Sequence, residues 1–170
     1  HMEDAEYLLT GEDLATGKQF EDVISLGGYH VDIHAPNNDG HNTEYVGPPT
    51  FQIPYRSLVP KHIDGLLVVG RAFGATHEAQ AATRVIPLSM AQGQGGGQAA
   101  ALACSSGCEL RDLDIKELQR RLVEQGQVLD HRNLPKHPRA SIFKVANIDG
   151  HVSLHNHEAS QMEEDTKNKQ

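Results

Sequence analysis

The chain has 170 residues, enough for one ordinary domain or a piece of a larger one, with 22% charged residues, 38% hydrophobic residues and no tryptophan. Acidic residues outnumber basic ones 23 to 15, giving a formal net charge of -8. With no basic cluster beyond Arg120-Arg121, the chain lacks the charge footprint of a nucleic-acid binder. Aromatic residues at 5% leave few large anchors, a composition that suits a partial core, and Arg71, His77, Glu78 and Arg84 interrupt the apolar run at 66–103, which excludes a membrane span there.

In chain order, His1-Met2 reads as a cloning remnant, and the acidic Glu3-Asp4-Ala5-Glu6 that follows is unlike a signal peptide, so the compartment stays open. Residues 7–26 carry Thr10 three places before Asp13, a variant of the capping pattern, with Leu14, Phe20 and Val23 at helical spacing. One or two short helices are expected there. "YHVDIH" alternates like a strand, 35–49 is turn-rich, and "TFQIPYRSLVP" reads as a second strand whose Pro54 implies an edge or a bulge. "LLVVG" at 66–70, apolar throughout, reads as a strand covered on both faces.

A short helix is expected from Thr76 to Arg84, then a longer one with Pro87 near its first turn and Gly107 just past its end. Gly93, Gly95, Gly96 and Gly97 inside it cost about 1 kcal/mol each relative to alanine, so tertiary contact must offset them. Asp114 opens an amphipathic helix with Ile115, Leu118 and Leu122 on one face and Gly126 as its stop. Beyond it, 131–158 reads as an irregular extension that holds up to two short strands around Asp149-Gly150, and 159–170 as a disordered polar tail.

Several patterns admit more than one reading. Gly95, Gly97 and Ala100 satisfy the G-x-G-x-x-A spacing of a dinucleotide loop, but Pro87 interrupts the strand that loop would need before it. The alternatives are close packing of small residues, or a helix N-terminus offered to an anionic or carbonyl group. Cys104 and Cys108 stand four apart, as a reduced pair or a redox pair; two thiolates do not complete a zinc site. His30, Asp32 and His34 would share one strand face, which keeps a metal reading as a rival, while His151, His155 and His157 suit a solvated tail. His77 and Arg84, seven apart, fall on one side of a helix, and that pair suits a carboxylate and a proton relay.

The stretch "IPYRSLVPKHIDGLLVVGRAFGATHEAQAATRVIPLSMAQGQGGGQAAALA" resembles the carboxy-terminal part of the FAD-dependent oxidoreductases. Their pattern is I-P-Y-R, L-x-P-K, a strand ending in G-R, A-T-H-E-A, R-V-x-P and a G-Q-A-A-G-x-A-A-A-L helix. The upstream "LTGEDLATGKQFEDVISLGGYHVDIH" and the closing "LQRRLVEQGQVL" are similar to the same family, so the resemblance spans about residues 7–130. It implies an α/β (or α+β) fold, the C-terminal segment of a Rossmann-type FAD-binding architecture over residues 3–130, with FAD as cofactor of the full-length parent.

By that resemblance Gly70, Arg71, Met90, Gly93 and Gly95 border the flavin, and His77 and Arg84 face the substrate, with Tyr55 and Arg56 near the same cleft. The sequence departs from the family in having no strand-plus-G-x-G-x-x-G unit before residue 66. This implies a fragment whose partner is the missing N-terminal FAD-binding segment, inactive or nearly so alone. The rival reading is a non-catalytic binding or oligomerisation module, and exposed apolar surface at 66–69 and the glycine helix would favour a homodimer.

Overall fold

The computed structural model describes residues 1–33 and 50–133, with the backbone of Val145–Ala146 and Val152–Ser153. Residues 1–134 form one compact unit and 135–170 a second.

In the first unit, Thr10 caps α1 (Gly11–Thr16). Its hydroxyl accepts from the Asp13 N–H at 3.1 Å, and the Asp13 carboxylate accepts from the Thr10 N–H at 3.0 Å, the reciprocal box that the sequence pattern anticipates. Gly17 at φ 63 ends the helix. The chain then departs from the helical reading of 7–26: Val23–Gly27 is a strand, β1, paired antiparallel with β2 (Phe51–Pro54). Leu14, Phe20 and Val23 kept helical spacing, but the left-handed turn at Gly17 had already broken the helix. The β-branched Val23 and Ile24 then gain more from cross-strand packing. The register shifts between Val23 and Ser25, opposite Pro54, so the bulge lies where that proline cannot donate to the ladder. At Gly27 any side chain would run into the Phe51 ring.

Residues 29–33 of the expected "YHVDIH" strand are not in a strand, and His34 lies outside the described residues, as do the tail and most of the 131–158 extension. The stretch 66–69 also departs from expectation. Val69 is extended (φ -117, ψ 168) and the Val68 N–H donates to the Leu58 carbonyl at 2.8 Å, yet no ladder forms among the described residues. An apolar sequence supplies the face of a buried parallel strand but not the neighbours whose hydrogen bonds define it. Leu66 and Val69 remain exposed in consequence.

Helix α2 (His77–Thr83) starts at Thr76, whose hydroxyl accepts from the Ala79 N–H, and α3 (Ile86–Ser106) follows almost at once, with Pro87 in its first turn and left-handed Gly107 (φ 66) at its end. Helix α4 (Ile115–Glu124) begins at Asp114, whose carboxylate accepts from the N–H groups of Lys116 and Glu117. Leu118 and Leu122 are its buried stripe. The core gathers α1, the β1–β2 pair, α2 and the inner faces of α3 and α4 around Leu9, Ile24, Ile53, Tyr55, Phe73 and Leu118. In the second unit, β3 (Val145–Ala146) and β4 (Val152–Ser153) pair antiparallel around the expected turn, which itself lies outside the described residues. No helix among the described residues is long and apolar enough to cross a membrane.

Candidate functional site

Gly70, Arg71, Met90 and Gly93, part of the set singled out by sequence, lie on the 66–76 stretch and on the outward side of the early turns of α3. Gly70 has φ +69, a left-handed conformation that L side chains rarely adopt, and turns the extended stretch into a short 3-10 turn, Gly70–Ala72. The turn is held by its backbone: the Met2 N–H donates to the Ala72 carbonyl at 2.9 Å, and the Gln80 amide donates to the Arg71 carbonyl. Arg71 itself projects to the surface, with no carboxylate paired to its guanidinium among the described residues. The Gly74 N–H donates to the Ser57 carbonyl, and the Leu9 N–H to that of Gly74, which locks the amino-terminal stretch to the turn.

Helix α3 presents its first turn beside this turn. Its N-cap is Val85, which offers no side-chain acceptor to the helix's leading N–H groups. A Cβ at Gly70 would stand 4.0 Å from the Ser89 Cβ, at van der Waals contact, so the turn lies close against the first turns of the helix. Around the opening stand Val69, Ile86 (76% exposed) and Met90 (70% exposed), large apolar side chains left in water. Gly93 lies on the same outward side with nothing within 4 Å of the position a Cβ would take. Gly95, grouped with these by sequence, turns the opposite way: a Cβ there would sit 3.0 Å from the Ile24 Cδ1, so this glycine serves packing onto β1.

His77 and Arg84 stand at the two ends of α2. His77 is exposed at the first position of α2, while α2 stops at Thr83 and Arg84 is its cap. The Arg84 guanidinium reaches the 28–33 stretch, donating to the Asp32 carbonyl at 2.9 Å and approaching its carboxylate at 3.5 Å. A Glu78 carboxylate beside His77 is held below the usual range, first by its own backbone N–H and then by the Thr76 hydroxyl at the helix start. Tyr55 is buried, its hydroxyl donating to the Leu110 carbonyl at 2.9 Å. Burial pushes its phenol up, with the nearby Cys108 adding to the effect. Arg56 is committed elsewhere, to Asp22. Both are parts of the framework. Asp32 is thus joined to Arg84, His30 stacks on Tyr29, and no group of three metal-ligating side chains occurs among the described residues.

Sequence reasoning missed two polar residues. Gln92 is fully buried on the inner face of α3 with neither amide atom hydrogen-bonded among the described residues, and the Ser89 hydroxyl three residues earlier is buried and has no partner among them either. Each such atom costs about 1–3 kcal/mol without a partner. The signal was present: in the phase set by Leu88, Gly96 and Ala99, residue 92 falls on the core side, where a glutamine is out of place. Residues 3–122 match the family model described as FAD dependent oxidoreductase. No curated protein and no solved structure matches the chain.

Proposed function

The chain belongs to the FAD-dependent oxidoreductase family, and from that premise we propose that residues 66–98 form the flavin-side wall of a site completed by a nucleotide-gripping strand–turn–helix unit outside residues 1–170. The single observation that carries this reading is the start of α3, a 21-residue helix with no side-chain cap, opening beside an exposed glycine turn. Its aligned N–H groups concentrate partial positive charge where an electron-rich ring would gain from it. The rest of the rim fits FAD. Gly70 and Gly93 present backbone without a side chain to a flat ligand, Val69, Ile86 and Met90 give it an apolar border, and the Ser89 hydroxyl is a polar group with no partner among the described residues.

Bound FAD supplies the hydride acceptor for an organic substrate. Around it, Gly70 and Arg71 pass along the ribityl and phosphate side, Arg71 meeting anionic charge with an uncommitted guanidinium. Met90 and Gly93 border the ring, Gly95 supports the helix on β1, and His77 and Arg84 stand on the substrate side, where an imidazole moves a proton and a guanidinium orients a carboxylate. Without the nucleotide-gripping unit the chain alone has little or no turnover.

The test is a visible absorption spectrum of the purified chain after incubation with excess FAD and gel filtration. Retained flavin bands that weaken in Gly70→Val and Gly93→Val support the site as described. Flavin bound equally well by those variants would refute it, and a colourless chain would restrict the claim to the two parts together, to be tested by adding the family's amino-terminal unit. The exposed apolar face of α3 favours a second reading, an assembly module that has kept this part of the fold without its chemistry.

A further inference from the structure

The layer between α3 and β1 encloses polar atoms that the chain leaves without partners. Gln92 lies three residues before Gly95, where a Cβ would meet Ile24, and four before Gly96, where a Cβ would meet Val69, so it belongs to the packed side of the helix. It is 0% exposed, and neither its Oε1 nor its Nε2 is hydrogen-bonded among the described residues. Ser25 on β1 is likewise 0% exposed, with its Oγ unpartnered. Gln127, just past α4, brings the two elements to one place. Its Nε2 donates to the Ile24 carbonyl and, at 3.3 Å, to the Ala91 carbonyl, the residues immediately before Ser25 and Gln92. The Oε1 of that same amide is buried and also has no partner among the described residues.

We propose that Ser25, Gln92 and Gln127 form a binding site for an ordered internal water that joins β1, α3 and the segment after α4. The chemistry of the unpartnered atoms matches one water molecule. The Gln92 Nε2 and the Ser25 hydroxyl donate, while the Gln92 Oε1 and the Gln127 Oε1 accept. A water offers two protons and two lone pairs, and buried waters make about three hydrogen bonds to polar groups that would otherwise go unpaired. Two neutral amides and a hydroxyl carry no charge to hold a divalent cation, and full burial of Gln92 and Ser25 leaves no opening for a larger molecule. The site has a consequence for the fold. Apolar contact such as that of Gly95 with Ile24 tolerates sliding of one element along the other, and α3 and β1 share no backbone hydrogen bond among the described residues. A directional bridge between them fixes where α3 sits along β1. The inference is independent of flavin binding and is tested without FAD.

Oxygen-17 magnetic relaxation dispersion of the full chain counts waters held longer than the protein's tumbling time. Gln92→Met, close to glutamine in size and without its polar atoms, should lower the dispersion amplitude by the share of about one water, and Ser25→Ala should lower it as well. Gln94→Met, the same change at an exposed position of α3, should leave it unaltered. In denaturant unfolding, the double variant should lose less stability than the sum of the two single losses, because both substitutions release the same water. An amplitude equal in wild type, Gln92→Met and Ser25→Ala overturns the proposal, as do additive losses. So does a Gln92→Met chain whose unfolding constant falls about tenfold, the gain expected when a buried amide with no partner at all is removed.

Discussion

Substituting alanine for each glycine of α3 in turn separates those that the fold requires from those that it does not. In a helix interior, Gly→Ala gains about 1 kcal/mol where the new methyl meets nothing. Gly93 and Gly97 meet that condition, with nothing beyond the helix's own neighbouring backbone within 4 Å of the Cβ position among the described residues. In a unit of this size each should therefore raise the melting temperature by about 3–5 °C. At Gly96 the methyl would stand 2.5 Å from the Val69 Cγ1, so the Val69 side chain must shift. Overpacking of this kind costs about 1–3 kcal/mol, which cancels or exceeds the propensity gain. Thermal melts followed by circular dichroism, at the lowest usable protein concentration so that association does not contribute, should rank Gly93→Ala and Gly97→Ala above wild type and Gly96→Ala at or below it. Equal destabilisation by Gly93→Ala and Gly96→Ala would refute the division of α3 into a required and an open face.

Other outcomes follow from the framework. Asp22 is buried and accepts from the Arg56 backbone N–H at 2.9 Å and from its guanidinium, so Asp22→Ala should lower stability by about 2 kcal/mol in denaturant unfolding. Thr10→Ala removes one half of the α1 cap and should cost about 1 kcal/mol in the same assay. Glu117 is drawn down to about 2, chiefly by Arg120 and then Arg121, below the ordinary glutamate value of 4.5. Its folded value is depressed, so its contribution is complete above about 4.5 and declines as pH falls toward about 2. Glu117→Gln should flatten the part of an acid unfolding curve that lies in that window. Arg111 pairs with Glu6 and Asp64 and donates to the Pro60 and Lys61 carbonyls, so Arg111→Ala should speed amide exchange selectively in residues 60–65.

What the sequence made legible was local. The Thr10 box, Pro87 in the first turn of α3, Gly107 beyond its end and the Asp114 start of α4 were all readable because a cap needs only residues within four of one another. The joint motif from Ile53 to Ala103 was readable as a family pattern for a different reason, its length. The failures involve distant partners. Val23–Gly27 became a strand because of Phe51–Pro54, more than twenty residues on, and 66–69 did not become one because no neighbour pairs with it among the described residues. The site shows the same limit. Gly93 and Gly95 are indistinguishable as letters, and only the position of Ile24 tells the open glycine from the packed one.

Arg84 shows how a framework contact and a ligand contact can share one side chain. Its approach to the Asp32 carboxylate is 3.5 Å, between groups 45% and 23% exposed. Water screens such a pair, and exposed pairs of this kind contribute about 0–1 kcal/mol. A ligand carboxylate competing for the guanidinium therefore forfeits about fivefold in affinity at most, and it gains two parallel hydrogen bonds if it engages the fork side-on. The carbonyl of Asp32, held at 2.9 Å, meanwhile fixes where the guanidinium sits. An arginine anchored through a neutral acceptor and only weakly neutralised by a carboxylate is oriented in advance yet available, which is the condition a substrate-orienting arginine has to meet. Asp32→Asn therefore discriminates between the two uses. If Arg84 serves the fold alone, the variant loses a little stability and gains no affinity for small carboxylates. If it serves a ligand, carboxylate affinity rises by up to about fivefold in isothermal titration.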